Sequence, residues 1–169
     1  MSTTTSVPRT AAPSVVGYEP DEIRLDQPTR AARLKWVVVV DEALAAGPAA
    51  NAVVCVAAAT ATGVAGLLGP DATDADGTGH TGLPWAGCTV LGAPRAELAR
   101  IRARALASPG THVADMPAAA QRTRVYTEYL AAVAGRAADD LEYLAVSLVG
   151  PRNRVDRVVG RLPLLGTTA

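Results

Sequence analysis

The chain has 169 residues, a length that suits one domain built around one hydrophobic core. Apolar residues make up 49% of it, but aromatic residues only 4%, so we expect a core of Val, Leu, Ile and Ala. The 16 basic and 16 acidic residues balance, which argues against a dedicated nucleic-acid binder with a clustered basic surface. Two cysteines form neither a disulfide framework nor a zinc set, so we expect free thiols in a reducing cytoplasm.

The first part of the chain has the composition of a flexible segment. Residues 1–16 consist mainly of Ser, Thr, Pro, Ala and Val, which predicts a disordered tail. This tail lacks the basic start and the apolar centre of a signal peptide. Residues 17–33 are mixed and charged, and we predict an irregular arm that lies on the domain. The remaining residues, 34–169, are predicted to form the single domain.

The core begins with the pattern of a strand followed by a helix. A run of Val within residues 35–41 favours a strand buried on both faces, as in parallel sheets. Pro48 stands at the start of a predicted helix that ends between Ala61 and Gly66. Residues 43–70 carry no charge, but their Ala, Gly and Thr content favours a buried helix over a membrane span.

The rest of the chain continues this alternation of strands and helices. The predicted elements are a strand at 88–91, a helix at 94–107, a strand at 111–114, a helix at 117–135, a strand at 144–149 and a helix at 151–159. The order β-α-β-α-β-α-β-α predicts an α/β fold, a three-layer sandwich in which helices cover both faces of one sheet.

A long loop, residues 69–87, separates the first helix from the second strand. Loops of this length in small domains are usually functional or mobile. It contains His80, which could act as an acid, a base or a ligand, and Trp85. We predict that the loop folds over a pocket near Asp115 and brings His80 and Trp85 to it as a lid. The alternative is that His80 is a solvated loop residue.

Asp115 is the first candidate for a catalytic residue, and His80 is the second. Asp115 lies at a predicted strand end, where α/β folds bind ligands. A carboxylate there could orient a water molecule or act as a general base. The alternative is that Asp115 caps the helix that begins at Pro117. Asn51, an amide in an apolar helix, could bind substrate or tie two backbone segments together.

The helix after Asp115 supplies further candidates for substrate binding. We include Gln121, Thr123 and Tyr126 in the predicted pocket, together with Asn51 and Trp85. Tyr126 and Tyr129 share a face of this helix, and core packing is the alternative role for them. We predict no metal site and no cofactor, because the acidic residues of the 69–87 loop do not fit a calcium-binding loop.

Both ends of the chain resemble a known family. The stretch Gly160-Arg161-Leu162-Pro163-Leu164, after a closing helix, resembles the Gly-x-Leu-x-Leu tail of the class II peptidyl-tRNA hydrolases. A closer resemblance, from about Tyr18 onward, is to a bacterial family within that superfamily, the domain of unknown function 2000. The residues that carry it are Arg33 to Asp41, Ala50-Asn51-Ala52, His80 to Trp85, Asp115-Met116-Pro117, Ala120-Gln121 and Tyr126 to Tyr129. The resemblance implies a mixed four-stranded sheet and often a homodimer.

The chain departs from the hydrolases at two motifs. Where they carry a Gly-Lys-Gly-Lys loop, this chain has Gly47-Pro48-Ala49-Ala50, so the catalytic Lys is absent. Asp115 is retained, but the Gly and Thr that follow it in the hydrolases are not. We therefore expect a hydrolase-like protein that acts on an ester or amide bond of a small molecule. The alternatives are a non-catalytic binding or oligomeric protein and a genuine peptidyl-tRNA hydrolase; the neutral charge and the missing Lys disfavour tRNA.

Overall fold

The computed structural model describes residues 16–167, so the predicted tail at 1–16 lies almost entirely outside the described residues. Residues 17–33 form an arm with two short 3-10 turns, Pro20–Glu22 and Thr29–Ala31. Tyr18 is buried, and its hydroxyl donates to the carbonyl of Leu34 at 3.2 Å. Tyr18 therefore anchors the beginning of this arm on the domain.

The domain is built on one mixed sheet of four strands. They are β1 (Leu34–Asp41), β4 (Cys88–Ala93), β5 (His112–Pro117) and β6 (Tyr143–Pro151), in the order β4-β1-β6-β5. β4 is parallel to β1, and β6 is antiparallel to both β1 and β5. β1, β4 and β5 thus run in one direction, which brings their carboxyl ends to the same end of the sheet.

Helices cover both faces of the sheet. The helix α1 (Ala46–Gly63) packs on one face, where alternate β1 residues such as Trp36 and Val38 meet Ala52 and Val56. The helices α2 (Arg95–Leu106) and α5 (Arg152–Val159) pack on the other face, against Val37 and Val39. The Val run of β1 is buried on both faces because it serves both cores.

The predicted helix at 117–135 is wrong in its bounds, because the chain forms three elements there. β5 extends to Pro117, which pairs with Tyr143 after an irregularity between Met116 and Pro117. Two helices follow, α3 (Ala119–Arg122) and α4 (Tyr126–Ala134). They are separated at Thr123, whose backbone is extended (φ −106°, ψ 152°) and whose hydroxyl donates to the carbonyl of Ala119. A β-branched residue with a competing side-chain bond favours such a break.

The two edges of the sheet differ. The tail after α5 covers β4 and is hydrogen-bonded to it. The amide of Leu165 donates to the carbonyl of Val90 at 3.1 Å, and the amide of Gly92 donates to the carbonyl of Pro163 at 3.0 Å. β5 forms the other edge, and none of the described segments pairs with its outer side. The Asp115 region is therefore more accessible than the β4 edge.

A chain of hydrogen bonds crosses the core under α1. The indole nitrogen of Trp36 donates to Ser147 Oγ at 2.9 Å, and Ser147 Oγ lies 2.7 Å from Thr60 Oγ1. The Thr60 hydroxyl donates to the carbonyl of Val56 at 2.7 Å, so the Ser147 hydroxyl donates to Thr60. Ser147 and Thr60 are fully buried. The side-chain polar groups of Trp36, Ser147 and Thr60 are all hydrogen-bonded to one another or to the backbone.

One described helix, α1, has the length and apolar composition to cross a membrane. Its residues Ala49, Ala52, Val56 and Thr60 are buried on the sheet. A helix that packs one face on a sheet in this way is typical of a soluble domain, and the described residues form such a domain.

Candidate functional site

A groove beside the free edge of β5 brings together residues that are distant in the sequence. Its volume is about 430 Å³, a size that small-molecule sites commonly have. α1 forms one wall, β5 and the start of α3 form the floor, and α4 forms the other wall. The lining residues are Asn51, Cys55, Asp115, Met116, Ala120, Tyr126 and Tyr129. We call this space the β5 groove.

Asp115 pairs with Arg102 of α2. Arg102 Nε donates to Asp115 Oδ2 at 2.6 Å, and both side chains are partly buried. Burial alone would lower the pKa of Arg102, but the hydrogen bond and charge of Asp115 raise it above its ordinary value. The predicted role of Asp115 as a helix cap is wrong, since α3 has no side-chain cap and the carboxylate bonds to Arg102 instead.

Tyr143 of β6 extends this polar cluster. The Arg102 guanidinium lies 5.1 Å from the centre of the Tyr143 ring, a cation–π contact. Burial raises the pKa of Tyr143, while the charge of Arg102 opposes that rise. The Tyr143 hydroxyl is buried and has no partner among the described residues. Arg102 is thus held between a carboxylate and an aromatic ring, which fixes its position.

Asn51 and Gln121 form an amide pair at the mouth of the groove. Gln121 Nε2 donates to Asn51 Oδ1 at 3.1 Å and to the carbonyl of Pro48 at 2.9 Å. Gln121 therefore ties α3 to the first turn of α1. The side chain of Asn51 faces the groove, whereas Gln121 lies behind it and does not line it.

The wall formed by α4 is aromatic and open. Tyr126 and Tyr129 are in contact, with ring centres 5.5 Å apart. Tyr126 is 73% exposed, and α4 contributes no buried residue to the core. Core packing, the alternative for these tyrosines, is therefore wrong. Burial and the nearby Asp115 charge both raise the pKa of Tyr129.

The two free cysteines occupy different surroundings. Cys55 lies one turn after Asn51 on α1 and lines the β5 groove. Cys88 begins β4 at the other edge of the sheet. Part of Cys88 reaches solvent, yet burial around its thiol raises the pKa to about 12.

The predicted lid is wrong, because His80 and Trp85 do not line the β5 groove. His80 lies in a hairpin of β2 (Ala72–Thr73) and β3 (Gly79–His80), exposed and 3.4 Å from Asp74. Trp85 packs edge-on against Tyr18, and its indole donates to the carbonyl of Gly66 at 2.8 Å.

Topology explains this correction. α1, roughly 27 Å long, returns the chain to the amino end of β1, where the 69–87 loop begins. Trp85 comes just before Cys88, which pairs with Trp36 near the start of β1. Asp115 lies across β6 at the level of Val39, towards the carboxyl end and at the opposite edge.

Of the other predicted residues, Asn51, Asp115 and Tyr126 line the β5 groove, and Gln121 adjoins it. Thr123 does not, since it lines a smaller neighbouring cavity with Arg122 and Glu142. Arg102, Cys55 and Tyr129 were not among the predicted site residues. The spacing of Asn51 and Cys55, four apart on a helix, would have identified Cys55. Nothing in the sequence pairs Arg102 with Asp115.

Another Asp–Arg pair lies at the end of β1. Arg95 Nε donates to Asp41 Oδ2 at 2.6 Å, and the amide of Ala43 donates to Asp41 Oδ1 at 3.1 Å. The Asp41 carboxylate is only 1% exposed and lines no described cavity, so its role is structural. No group of three or more His, Cys, Asp or Glu side chains within residues 16–167 is arranged to hold a metal ion.

Comparisons with known proteins identify a family and a similar fold, and neither carries an assigned function. The sequence model of a family described as "Protein of unknown function (DUF2000)" matches residues 34–166. A solved structure, Protein of Unknown Function Atu0240 from Agrobacterium tumefaciens str. C58, is similar with a TM-score of 0.70 and 17% identity. The similarity covers 78% of this chain and 97% of that one. No curated protein matches the chain in sequence.

Proposed function

The chain belongs to the DUF2000 family of proteins of unknown function, and we propose that it hydrolyses an ester or amide bond of a small molecule in the β5 groove. The observation that carries the proposal is the meeting of Asn51, Asp115 and the two tyrosines in one groove of about 430 Å³. A carboxylate, an amide donor and an apolar wall around one space are the groups that bind a carbonyl compound and direct a water molecule to it.

Asp115 is the group that positions the water. Its Oδ2 accepts a hydrogen bond from Arg102, and in this proposal Oδ1 accepts one from water. The water oxygen attacks the carbonyl carbon while its proton moves to Asp115. The tetrahedral intermediate then expels the alcohol or amine, which takes up that proton. Asn51 Nδ2 donates to the oxyanion. No covalent enzyme intermediate is needed.

The Arg102–Asp115 pair also favours a second candidate function, ligand binding without chemistry. The hydrogen bond from Arg102 at 2.6 Å occupies Asp115 Oδ2 and fixes the carboxylate in place, which suits a binding surface as well as a catalytic one. In this reading Asp115 and Arg102 are a fixed polar floor, and the ligand leaves unchanged. The two functions share the groove and differ only in turnover.

Genuine peptidyl-tRNA hydrolysis is the third candidate, suggested by the resemblance to the class II hydrolases. It requires cations near the groove to replace the missing Lys. Of the neighbouring arginines, Arg122 is paired with Glu142 at 2.8 Å and Arg102 is paired with Asp115, while Arg124 is exposed and does not line the groove. The charges described around Asp115 therefore support a small substrate better. A homodimer, which the resemblance implies, and a cytoplasmic location, which the free thiols favour, are further proposals; light scattering tests the first.

The test is hydrolysis of a panel of uncharged p-nitrophenyl esters and anilides by the wild-type protein and Asp115→Asn. Turnover that Asp115→Asn lowers by at least a hundredfold supports hydrolysis at this site. Binding without turnover supports the second function. A diagnostic peptidyl-tRNA is assayed in parallel, and turnover of it alone would favour the third. The control is Asp139→Asn, an exposed carboxylate outside the groove.

A further inference from the structure

The charges lining the β5 groove cancel. Asp115 is its one charged lining residue, and its carboxylate is paired with Arg102 on the α2 side of the sheet. An ionic ligand entering the groove would lose hydration without meeting a free counter-charge, which is unfavourable. An uncharged ligand does not meet this penalty.

The orientation of the Asn51 amide is fixed by its neighbours. The carbonyl of Pro48 only accepts hydrogen bonds, so the group that Gln121 turns to it at 2.9 Å is its NH₂. The same NH₂ lies 3.1 Å from Asn51, which must therefore present its oxygen to Gln121. The Asn51 Nδ2 group is left without a bond to any described residue, on the residue that lines the groove. It is an exposed donor that is free to bond to a ligand in the groove.

The remaining lining combines aliphatic and aromatic side chains with the Cys55 thiol. Met116 and Ala120 form the floor, and Tyr126 and Tyr129 form an aromatic wall. Aromatic rings pack favourably against other rings in tilted or offset arrangements. A phenyl or short alkyl group is of a size that fits beside this wall.

We propose that the β5 groove selects an uncharged acyl compound, an amide or ester with an aryl or short alkyl acyl group, whose carbonyl oxygen accepts a hydrogen bond from Asn51 Nδ2. This inference rests on the proposed function for the location of the site, but it concerns binding rather than turnover. It names three separate determinants: the neutral Asp115–Arg102 pair, the Asn51 donor and the tyrosine wall.

Cys55 serves as a reporter of occupancy, because it lines the groove and is accessible. In a Cys88→Ser background, the rate of Cys55 alkylation by iodoacetamide is measured with three matched compounds. They are 3-phenylpropanamide, which is neutral, 3-phenylpropanoate, an anion, and 3-phenylpropylamine, a cation. We expect the amide to slow alkylation at least fivefold at saturation and the two ions to leave it unchanged at the same concentrations.

Asn51→Asp tests the donor, since it replaces the NH₂ group by an acceptor. We expect the concentration of amide needed for half protection to rise about tenfold, the effect of losing one hydrogen bond to the ligand. The matched control is Asn153→Asp on α5, outside the groove, which should change nothing.

Equal protection by all three compounds, protection by an ion alone, or no protection by any would overturn the inference. If 3-phenylpropanamide protected Cys55 in Asn51→Asp at the same concentration as in the parent protein, the role of Asn51 Nδ2 as the hydrogen-bond donor would be contradicted. Protection by the neutral amide in a protein that hydrolyses none of the esters would support the ligand class and contradict hydrolysis. The failure of one proposal is thereby distinguished from the failure of the other.

Discussion

Arg102 of α2 and Asp115 of β5 are joined by a hydrogen bond of 2.6 Å across the edge of the sheet. The chain contains a similar pair, Arg95 and Asp41, at the end of β1. The two differ in their surroundings, because the Asp41 carboxylate is 1% exposed and the Asp115 carboxylate is 19% exposed beside a groove. The first pair holds the fold, and the second is available to a ligand.

Replacing Arg102 tests whether it positions Asp115. We predict that Arg102→Gln lowers kcat by tenfold to about a hundredfold with little change in KM, since a displaced catalytic group costs rates of that order. Arg102→Lys should restore part of the rate, because it keeps the charge but not the geometry. Arg100→Gln, an exposed arginine on the same helix, is the control. Equal kcat in Arg102→Gln and the wild type would contradict the role.

Ser147 is predicted to matter for stability out of proportion to its size. Ser147→Ala leaves the buried Trp36 indole N–H without its acceptor. We expect the free energy of unfolding to fall by about 1–3 kcal/mol, measured by urea denaturation. Ser108→Ala removes an exposed hydroxyl that bonds to the carbonyl of Arg104 and should cost far less. Similar losses in the two variants would show that the Trp36–Ser147–Thr60 chain is unimportant.

His112 predicts a dependence of stability on pH. Burial lowers its pKa in the folded state below the ordinary value of 6.5, and its Nε2 has no partner in the described chain. Below pH 6.5 the unfolded chain therefore takes up a proton that the folded chain resists, so stability falls as the pH falls. Well above pH 6.5 the histidine is neutral in both states, so it adds no pH dependence to the stability. His112→Gln should flatten the dependence between roughly pH 5 and 7, the range around the reference pKa of His, as measured by urea denaturation at each pH.

The two thiols should react at different rates. At mildly alkaline pH we predict that Cys55 reacts with iodoacetamide faster than Cys88, because the raised pKa of Cys88, about 12, keeps it protonated. Mass spectrometry of alkylated peptides over time measures both rates. Cys55→Ser and Cys88→Ser identify each signal. Faster alkylation of Cys88 would contradict the environments described for the two residues.

The strands and the first helix were predictable from the sequence because burial on both faces leaves an uninterrupted apolar run, as in Val37 to Val40. The division between α3 and α4 was not. Pro117 has the sequence signature of a helix start, yet it pairs with Tyr143 in the sheet. Tertiary pairing outweighs the local preference there, and no local pattern reveals it.

The site was predictable only in part, for a topological reason. Asp115 and Asn51 belong to strand and helix ends that the fold brings to one end of the sheet, and the prediction placed them together. His80 and Trp85 were misplaced because the sequence does not reveal that β4 and β5 occupy opposite edges. The Arg102–Asp115 contact depends on how α2 crosses the sheet, which side-chain periodicity does not encode.

The most direct test compares Asp115→Asn with Asp41→Asn by ester hydrolysis and by urea denaturation of the same preparations. We predict that Asp115→Asn loses at least a hundredfold in kcat while unfolding within about 1 kcal/mol of the wild type, as partly exposed pairs do. Asp41→Asn should lose roughly 3 kcal/mol of stability, as broken buried pairs do, and keep its kcat under conditions where it is folded. Equal hydrolysis by Asp115→Asn and the wild type would contradict the account.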